Sequence, residues 1–461
     1  MINAMRKLLV FVVVLVVVAA GVYLGAGRMA GPTVQIVNPQ RFVGASTPLD
    51  VLVEAPGGTI ASVDVDVEQN GKTTRVLSSA DAASATHLST DGPTRMRVTH
   101  AIGRDNVPDL ASGPARIRVT ASRPVLFGLR RVTTTAERDV TVRLERPTIA
   151  VLSTHHYINQ GGAEMIVYRV SPNDVQSGVL VGNLEYPGYP ATGVTVDGVK
   201  ITDPSVRVAF FALLYDQDAS TPMHLFARDE AGNAARADFE SRTFPKPARQ
   251  STIPLDDKFL DRVVPAILAG TTEIKPEGST IDKFLAINGE LRRKNAAKIA
   301  SFAAQSAPEL YWRGVAFHPF TNSAVESAFA DRRTYTYQGK AIDHQTHLGF
   351  DLASYATTPI VAANRGKVMF AEELGIYGNC VIIDHGMGVQ SLYAHLSQIG
   401  VKPGDMVDKD QPIGRSGMTG LAGGDHLHFT MLVNGQMVNP VEWWDAHWIQ
   451  DRILRKLREV Q

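Results

Sequence analysis

The chain has 461 residues, more than a single hydrophobic core accommodates, so we expect two to four domains. Its 46 lysine and arginine residues balance 46 aspartate and glutamate residues, and this neutrality does not favour nucleic acid as a partner. The one cysteine, Cys380, excludes an internal disulfide, and its apolar neighbours predict a buried side chain and not a reactive thiol.

The first thirty residues predict a membrane anchor. Arg6 and Lys7 precede an uncharged stretch, residues 8–27, that is dominated by valine, leucine and alanine. This length matches a transmembrane helix, whereas the apolar core of a signal peptide has about 7–15 residues. We therefore predict a single-pass anchor over residues 1–30 in the inner membrane, with the basic flank in the cytoplasm and the bulk of the chain in the periplasm. The small residues at 25–27 leave a cleaved signal peptide as the alternative.

Two successive segments, 31–146 and 147–245, carry the alternating pattern of short strands. In the first, Asn70-Gly71 predicts a hairpin turn, and in the second Asp197-Gly198 does the same. Residues 225–233 also resemble the closing hairpin of bacterial immunoglobulin-like domains. We therefore predict a mainly β protein with two tandem, Ig-like β-sandwich domains.

The rest of the chain alternates between helical and strand patterns. Pro245, Pro247 and Pro254 predict a linker, and apolar residues then follow a helical spacing over 256–268 and 280–304. A two-residue period returns after Trp312, and the last residues again have a helical spacing. We divide this half into a linker with a helical connector (246–310), an antiparallel β domain (311–445) and a C-terminal helix (446–461).

Histidines cluster in this β domain: six of the thirteen lie between residues 344 and 428. In residues 347–352, a strand would place His347, Gly349 and Asp351 on one face and apolar side chains on the other. The glycine leaves a gap between the two polar side chains, which is where an ion needs room.

A second run, residues 426–431, would place His426 and His428 on one strand face with apolar side chains behind them. Nitrogen and oxygen ligands from His347, Asp351 and His428, without cysteine, suit Zn²⁺. Three protein ligands leave a fourth position for water, whose pKa zinc lowers to about 7. The pattern therefore predicts a catalytic zinc site.

A hydrolase of this kind also needs a group that moves protons. His426 lies one pleat from His428 and can reach the site without binding the metal. His395 is the second candidate, on a strand face that it would share with Tyr393 and Ser391.

Other polar residues near these runs have simpler interpretations. Asp343 and Asp425 flank the ligands and would either orient an imidazole or lie exposed in turns, and turns are the simpler interpretation. His344 precedes His347 by an odd spacing, which predicts the opposite strand face. His385 lies at a strand end before a glycine, and we predict a role in a turn.

The segment from about residue 329 to residue 444 resembles the peptidoglycan-cleaving zinc endopeptidases of the lysostaphin and LytM type, the M23 family. Their His-x-x-x-Asp motif matches His347 and Asp351, their His-x-His motif matches residues 426–428, and their Tyr-Ala-His-Leu motif matches residues 393–396. These three motifs and the hairpin segment at residues 403–420 make four in the family's order, so the resemblance is specific, although it covers only about a quarter of the chain.

Two further features belong to this resemblance. Residues 403–420 read like the family's hairpin before His-x-His, and residues 329–333 resemble its opening strand, where the family has glycine in place of Ala330. The resemblance implies a set of roles: zinc ligands His347, Asp351 and His428, and a catalytic pair His395 and His426.

The implied function is a membrane-anchored, zinc-dependent endopeptidase that hydrolyses peptide cross-links of bacterial peptidoglycan. Family members cut glycine bridges or D-alanyl cross-links. The charge balance and the anchor favour a Gram-negative periplasm, and therefore D-alanyl-diaminopimelate cross-links. The alternatives are a non-catalytic protein that binds peptidoglycan or activates other hydrolases, and an adhesion scaffold built on the β-sandwiches. The expected partners are peptidoglycan and the membrane, and a further hypothesis has the helical connector covering the groove until a regulatory protein moves it.

Overall fold

In the computed structural model, which describes residues 2–196, 198–318, 320 and 322–460, the N-terminal segment forms one helix, α1 (Ile2–Ala26). Its span Met5–Ala26 has a mean hydropathy of 3.0, and the most apolar 18-residue window of this span has no buried residue. At 1.5 Å per residue, these 22 residues extend about 33 Å, enough to cross the roughly 30 Å hydrocarbon core of a bilayer. The helix therefore has the length and composition of a membrane anchor. A signal sequence near the N-terminus can have the same length and composition.

Beyond α1 the protein is mainly β and divides into two compact units. One comprises Met1–Pro147 with Arg228–Ala234, and the other comprises Thr148–Ala227 with Ala235–Gln461. The finer domain boundaries given above stay predictions. Asp197, the first residue of a predicted turn, lies outside the described residues.

The first unit contains the strands β1 (Thr33–Asn38), β2 (Phe42–Val43), β3 (Thr47–Glu54), β4 (Ser62–Gln69), β5 (Lys72–Ser78), β6 (Leu88–Thr90), β7 (Arg95–Ile102), β8 (Gly113–Val125) and β9 (Arg130–Val142). They form two sheets, with the orders β1-β3-β7-β6 and β2-β9-β8-β4-β5. Apolar side chains of both sheets form one buried cluster. The predicted Asn70-Gly71 turn joins β4 to β5 and is confirmed, since both residues have the positive φ angles, 52° and 78°, of a tight hairpin turn.

The second unit begins with β10 (Thr148–Val151), β11 (His156–Asn159), β12 (Ala163–Ser171), β13 (Gln176–Val181), β14 (Leu184–Pro187), β15 (Tyr189–Pro190), β16 (Thr195–Val196), β17 (Val199–Lys200), β18 (Val206–Ala212), β19 (Met223–Arg228), β20 (Ala234–Asp238) and β21 (Ser241–Phe244). Its main sheets have the orders β10-β12-β18-β15 and β14-β13-β19-β20. β12 and β18 are almost fully buried, as continuous apolar runs require. Their side chains join the same apolar cluster as the C-terminal sheet.

The helical connector consists of α2 (Asp257–Gly270), α3 (Thr280–Ala286), a π-helical turn (Ile287–Leu291) and α4 (Arg292–Ser301). Asp256 caps α2 by accepting a hydrogen bond from Phe259 N, and Ser279 with Asp282 forms a capping box at α3. Both predicted helices are confirmed. The π-helical turn, which the spacing did not predict, widens the second helix just before Arg292.

The interpretation of the whole proline-rich stretch as a linker is wrong for its last residues. A strand, β22 (Gln250–Leu255), pairs in parallel with β24 (Asp331–Tyr337), which in turn pairs with β25 (Lys340–His347). β22 lies at the edge of this sheet, where the missing N–H of Pro254 is tolerated.

The C-terminal sheet contains β23 (Ala324–Ser327), β26 (Phe350–Ala353), β28 (Gly366–Glu373), β29 (Asn379–Gly386), β30 (Val389–Leu396), β32 (Met406–Val407), β34 (Leu427–Val433) and β35 (Gln436–Val438). A small separate sheet holds β27 (Pro359–Val361), β31 (Gln398–Ile399) and β33 (Pro412–Arg415). The large sheet has the order β23-β26-β34-β30-β29-β28-β32, with β35 beside β34.

Alternate residues of the central strands bury opposite faces of this sheet. Ile382, Leu392 and Leu432 join an apolar cluster with α2, α3 and α4. Val381 and Phe429 point to the other face and join the cluster that contains β12 and β18. The sheet is therefore covered by the connector on one face and by the preceding β segment on the other.

The predicted C-terminal helix is present over residues 446–458, where α6 (Ala446–Ile449), a π-helical turn (Gln450–Leu454) and α7 (Arg455–Arg458) are continuous. Asp445 separates this helix from the short α5 (Pro440–Trp444), and its carboxylate caps α6 by accepting a hydrogen bond from His447 N. Lys456 on α7 forms an ion pair with Glu164 of β12 at 2.7 Å, and both side chains are fully buried.

Candidate metal site

Three predicted ligands converge at one point of the large sheet. His347 ends β25, Asp351 lies in β26, and His428 is the direct cross-strand partner of Asp351 in β34. His347 Nε2 lies 2.9 Å from Asp351 Oδ1 and 3.0 Å from His428 Nδ1, and His428 Nδ1 lies 3.0 Å from Asp351 Oδ1. The three atoms form an almost equilateral triangle, and all three residues are buried.

The sequence pattern predicts a single strand through His347 and Asp351, and this prediction is wrong. β25 ends at His347 and belongs to the three-stranded sheet, while β26 begins at Phe350 in the large sheet. Gly349 lies at this crossing, and a Cβ there would be 2.4 Å from Thr430 Oγ1 and 2.6 Å from His428 Nε2. The space at Gly349, predicted to make room for an ion, is instead occupied by the side chains of His428 and Thr430.

The outer nitrogen of each imidazole has a partner that fixes its tautomer. His347 Nδ1 donates to the carbonyl oxygen of Ala328 at 3.1 Å, so in the neutral ring the lone pair is on Nε2. The Thr430 hydroxyl donates to Leu348 O at 2.7 Å, so it accepts from His428 Nε2 at 3.1 Å and leaves His428 Nδ1 without a proton. Outer partners of this kind hold metal-binding imidazoles in orientation.

These tautomers direct lone pairs of two histidines and a carboxylate oxygen at one another, an arrangement that a cation among them would stabilise. A tetrahedral ion with bonds of 2.0–2.1 Å separates its ligand atoms by about 3.3 Å. The observed separations of 2.9–3.0 Å are about 0.3 Å shorter, so a small outward movement would accommodate the ion. The three residues therefore fit a metal ion in both donor chemistry and spacing.

The protonation states agree with this fit. Burial opposes the ionisation of Asp351, but His347 and the other histidines outweigh burial and hold the pKa of this carboxyl well below its usual range. Burial lowers the pKa of His428 to about 4, so its ring is neutral at pH 7. A carboxylate and a neutral imidazole are the forms that bind metals.

His426 and His395 lie beside the triangle. His426 Nδ1 donates to Gly424 O at 2.8 Å, and its Nε2 lies 3.5 Å from Asp351 Oδ1. His395 Nδ1 donates to Thr419 O at 2.8 Å, and its ring centroid lies 4.8 Å from that of His426 and 5.8 Å from that of His428. Burial lowers the pKa of His395 well below its usual range, so its Nε2 carries no proton. Burial also opposes the protonation of His426, but its contact with Asp351 outweighs burial and raises the pKa of this histidine.

The strand face predicted for His395 is wrong. Tyr393 pairs with Phe429 and packs on the opposite face from the metal site, so strict alternation would send His395 there too. His395 instead has a φ of 61°, in the left-handed region, and its side chain turns into the cleft with His426 and His428.

Comparison with known proteins agrees with this geometry. Residues 345–440 match the model of peptidase family M23. This part of the chain is an M23 domain. The matched range contains all five predicted site residues.

Two curated bacterial proteins are similar to the region around the M23 domain. The DD-carboxypeptidase/endopeptidase Mpg of Neisseria meningitidis serogroup B is 38% identical over 130 residues, which are 28% of this chain and 29% of that protein. The peptidoglycan DD-endopeptidase ShyA of Vibrio cholerae is 30% identical over 180 residues, 38% of this chain and 39% of that protein. The matched part thus spans well under half of the length of either relative.

Among solved structures, the catalytic domain of the antimicrobial peptidase lysostaphin from Staphylococcus simulans is 29% identical to this chain. The match covers 27% of this chain and 92% of that one, with a TM-score of 0.24.

Arg333, on β24 outside the matched residues, is a site residue that sequence reasoning missed. Its guanidinium donates to Asp351 Oδ2 at 2.8 Å, on the carboxylate oxygen that does not face the histidines. Arg333 therefore fixes the orientation of Asp351 and leaves Oδ1 for a metal. In the sequence, Arg333 lies in the segment that resembles the opening strand of the M23 family, and no motif indicates that it pairs with Asp351.

Ala330, just before β24, has a φ of 63°. Its backbone N donates to His347 O at 2.8 Å, so the turn sets the position of β24 beside His347. A left-handed conformation suits glycine better than alanine, which is a physical reason for the glycine of the resembling proteins at this position.

The cleft over the M23 domain contains about 160 Å³ of space open to water, while a single water needs about 10–15 Å³ by a similar measure. Solvent and a substrate group therefore fit beside an ion. The cleft is lined by the metal-site histidines and by Arg292, Arg333, Tyr377, Leu421 and Met437. Arg292 comes from the connector, which thus forms one wall.

The remaining candidates lie away from the triangle. Asp343 accepts a hydrogen bond from Asn288 Nδ2 at 2.7 Å, and Asp425 accepts one from Thr357 N at 3.1 Å, so the contacts found for each carboxylate are with groups other than imidazoles. His344 contacts the Thr334 hydroxyl and is exposed. His385, predicted in a turn, is a buried histidine bonded to Arg365 O at 2.8 Å and to Ser391 Oγ at 2.7 Å.

Proposed function

We propose that this protein is a zinc-dependent endopeptidase that hydrolyses peptide cross-links of bacterial peptidoglycan. The single observation that carries the proposal is the triangle of His347 Nε2, Asp351 Oδ1 and His428 Nδ1, with sides of 2.9–3.0 Å, inside an M23 domain. The names of the two curated relatives, a DD-carboxypeptidase/endopeptidase and a peptidoglycan DD-endopeptidase, support the substrate class.

Zinc is the ion that suits this ligand set best. Two imidazoles and one carboxylate are borderline to hard ligands, and three protein ligands leave a position for solvent. A zinc ion bound there supplies Lewis acidity, which lowers the pKa of a water ligand to about 7 and polarises a peptide carbonyl.

The protein's own groups would move the proton. We assign His426 as the group that would accept the proton of the attacking water, because its Nε2 lies 3.5 Å from Asp351 Oδ1, beside the ligands, and its raised pKa suits a general base. His426 then returns the proton to the leaving amine. His395 would accept a hydrogen bond through its own Nε2 and orient the water, since its Nδ1 is engaged by Thr419 O.

The N-terminal helix supports a location outside the cytoplasm. We infer that α1 is retained as a single-pass anchor in the inner membrane, and that the rest of the chain lies in the periplasm, where peptidoglycan is. The segments 31–146 and 147–245 are then Ig-like β-sandwiches that hold the peptidase at a distance from the membrane.

Among cross-links, we propose D-alanyl-diaminopimelate. The test is digestion of defined peptidoglycan by the full-length protein in detergent, with mass spectrometry of the released muropeptides. Loss of dimers and appearance of monomers, abolished by chelation and by His428→Ala, is the expected result. A zinc-loaded protein that binds peptidoglycan and releases nothing would instead establish the non-catalytic alternative.

A further inference from the structure

The connector contributes a cationic side chain, Arg292, to the wall of the cleft, and among the described residues no hydrogen bond or ion pair joins it to the three metal-site residues. Arg292 is the first residue of α4, directly after the π-helical turn, and lies more than fifty residues before the matched M23 region. Its side chain lines the same cleft as His347, His395 and His428.

The guanidinium of Arg292 is held in place by neutral groups. Its Nε donates to Asn288 O at 3.1 Å, and one terminal nitrogen donates to Asn288 Oδ1 at 2.5 Å. Asn288 is fully buried and donates through Nδ2 to Asp343 Oδ2 at 2.7 Å, so this anchor is itself fixed. Asn288 and Arg292 are four residues apart, so they are neighbours on one face of the helix.

The charge of Arg292 is therefore available to a ligand. Over the described residues, no carboxylate forms an ion pair with Arg292, whereas Arg333 in the same cleft is committed to Asp351 at 2.8 Å. The second terminal nitrogen of Arg292 has no hydrogen-bond partner within that part of the chain.

The surroundings of Arg292 suit an anionic group. Tyr377 lines the same cleft, and its ring centroid is 5.6 Å from that of His428. Burial raises the pKa of Tyr377 to about 12, and the charge of Arg292 opposes that rise, which places the two groups within electrostatic range. Leu421 and Met437 complete this end of the cleft with apolar surface. A low-dielectric wall strengthens an arginine–carboxylate contact.

We propose that Arg292 binds a carboxylate of the substrate next to the scissile amide. This rests on the proposed function and deepens it. A D-alanyl-diaminopimelate cross-link carries a free carboxylate on the carbon that bears the scissile nitrogen, whereas a glycine bridge has no side-chain or neighbouring carboxylate. Arg292 is then the residue that selects the diaminopimelate cross-link, and it is a specificity residue supplied by the connector.

The test compares two uncleavable analogues of the cross-link, in which the scissile amide is replaced by a methylene-amine bond. One analogue keeps the diaminopimelate carboxylate next to that bond, and the other has a carboxamide there. Their dissociation constants are measured calorimetrically with the full-length, zinc-loaded protein in detergent. The variants are Arg292→Gln, Arg292→Lys and the adjacent Arg293→Gln, whose exposed side chain lies outside the cleft lining.

Wild type should bind the carboxylate analogue roughly 10- to 100-fold more tightly than the carboxamide, the range expected for one charge-assisted contact. Arg292→Gln should bring the ratio close to one, Arg292→Lys should keep part of it, and Arg293→Gln should leave it unchanged. A ratio near one in wild type, or an unchanged ratio in Arg292→Gln, overturns the proposal.

Cleavage of natural cross-linked dimers is measured in parallel. A protein that prefers the carboxylate analogue through Arg292 but cleaves no dimer keeps this inference and refutes the hydrolase assignment. A protein that cleaves dimers with the same kcat/KM in Arg292→Gln as in wild type keeps the hydrolase assignment and refutes this inference.

Discussion

Gly349→Ala should disrupt the metal site without touching a ligand. The added Cβ would lie 2.4 Å from Thr430 Oγ1 and 2.6 Å from His428 Nε2. Ordinary contacts are about 3.5 Å, so His428 or its partner has to move by about 1 Å. Metal–ligand distances tolerate only about 0.2 Å, and we therefore expect a loss of metal affinity of at least about 10- to 100-fold. Overpacking should also lower the free energy of unfolding by about 1–3 kcal/mol.

The assay is competition for zinc with a chromophoric chelator, followed by chemical denaturation, both on the full-length protein in detergent. Gly400→Ala is the matched control, because its nearest contact would be an ordinary 3.4 Å and its backbone does not require glycine. If Gly349→Ala bound zinc as tightly as wild type, His428 would not be positioned by this gap, and the steric explanation of the site would be refuted.

Three further changes test the packing around the site. Ala330→Gly should raise the free energy of unfolding by about 0.5–1 kcal/mol, because relief of a left-handed alanine exceeds the added entropy of the unfolded glycine; an unchanged or lower melting temperature would contradict this. Burial raises the pKa of Glu442 from 4.5 to about 7, so the stability that its protonated form contributes is complete below pH 4.5 and is lost as the pH rises through 7. Between pH 4.5 and 7.5 the free energy of unfolding of wild type should therefore fall by about 3 kcal/mol more than that of Glu442→Gln. Parallel pH profiles of the two proteins would refute this. Lys456→Met leaves Glu164 buried without its partner and should cost about 3–5 kcal/mol, most of which Lys456→Met/Glu164→Gln should restore; equal stability of single and double variants would show that the pair is not coupled.

Much of the site follows from the two-residue period of strands. His426 and His428 share a face of the chain leading into β34, as their spacing predicts, and Asp351 meets His428 across the sheet. These positions depend on local alternation, which a single sequence contains. The helices over 256–268 and 280–304 could also be predicted from the sequence, because apolar spacing and capping residues act within a few residues of each other.

Other features depend on contacts that the sequence does not encode locally. The left-handed φ of His395 reverses its side chain, and strict alternation along β30 does not predict this reversal. Arg333 reaches Asp351 only because β24 turns back beside β25, and Arg292 reaches the cleft only because the connector packs on the sheet. The strand at residues 250–255 was not predicted because Pro254 indicated a linker, whereas an edge strand tolerates a proline.

The most direct test of the metal site is a crystal structure of the zinc-loaded protein with data collected on both sides of the zinc absorption edge. One anomalous peak should lie about 2.0–2.2 Å from His347 Nε2, Asp351 Oδ1 and His428 Nδ1. A peak bound by other residues, or no peak in a protein that cleaves peptidoglycan, would contradict the assignment of these three side chains.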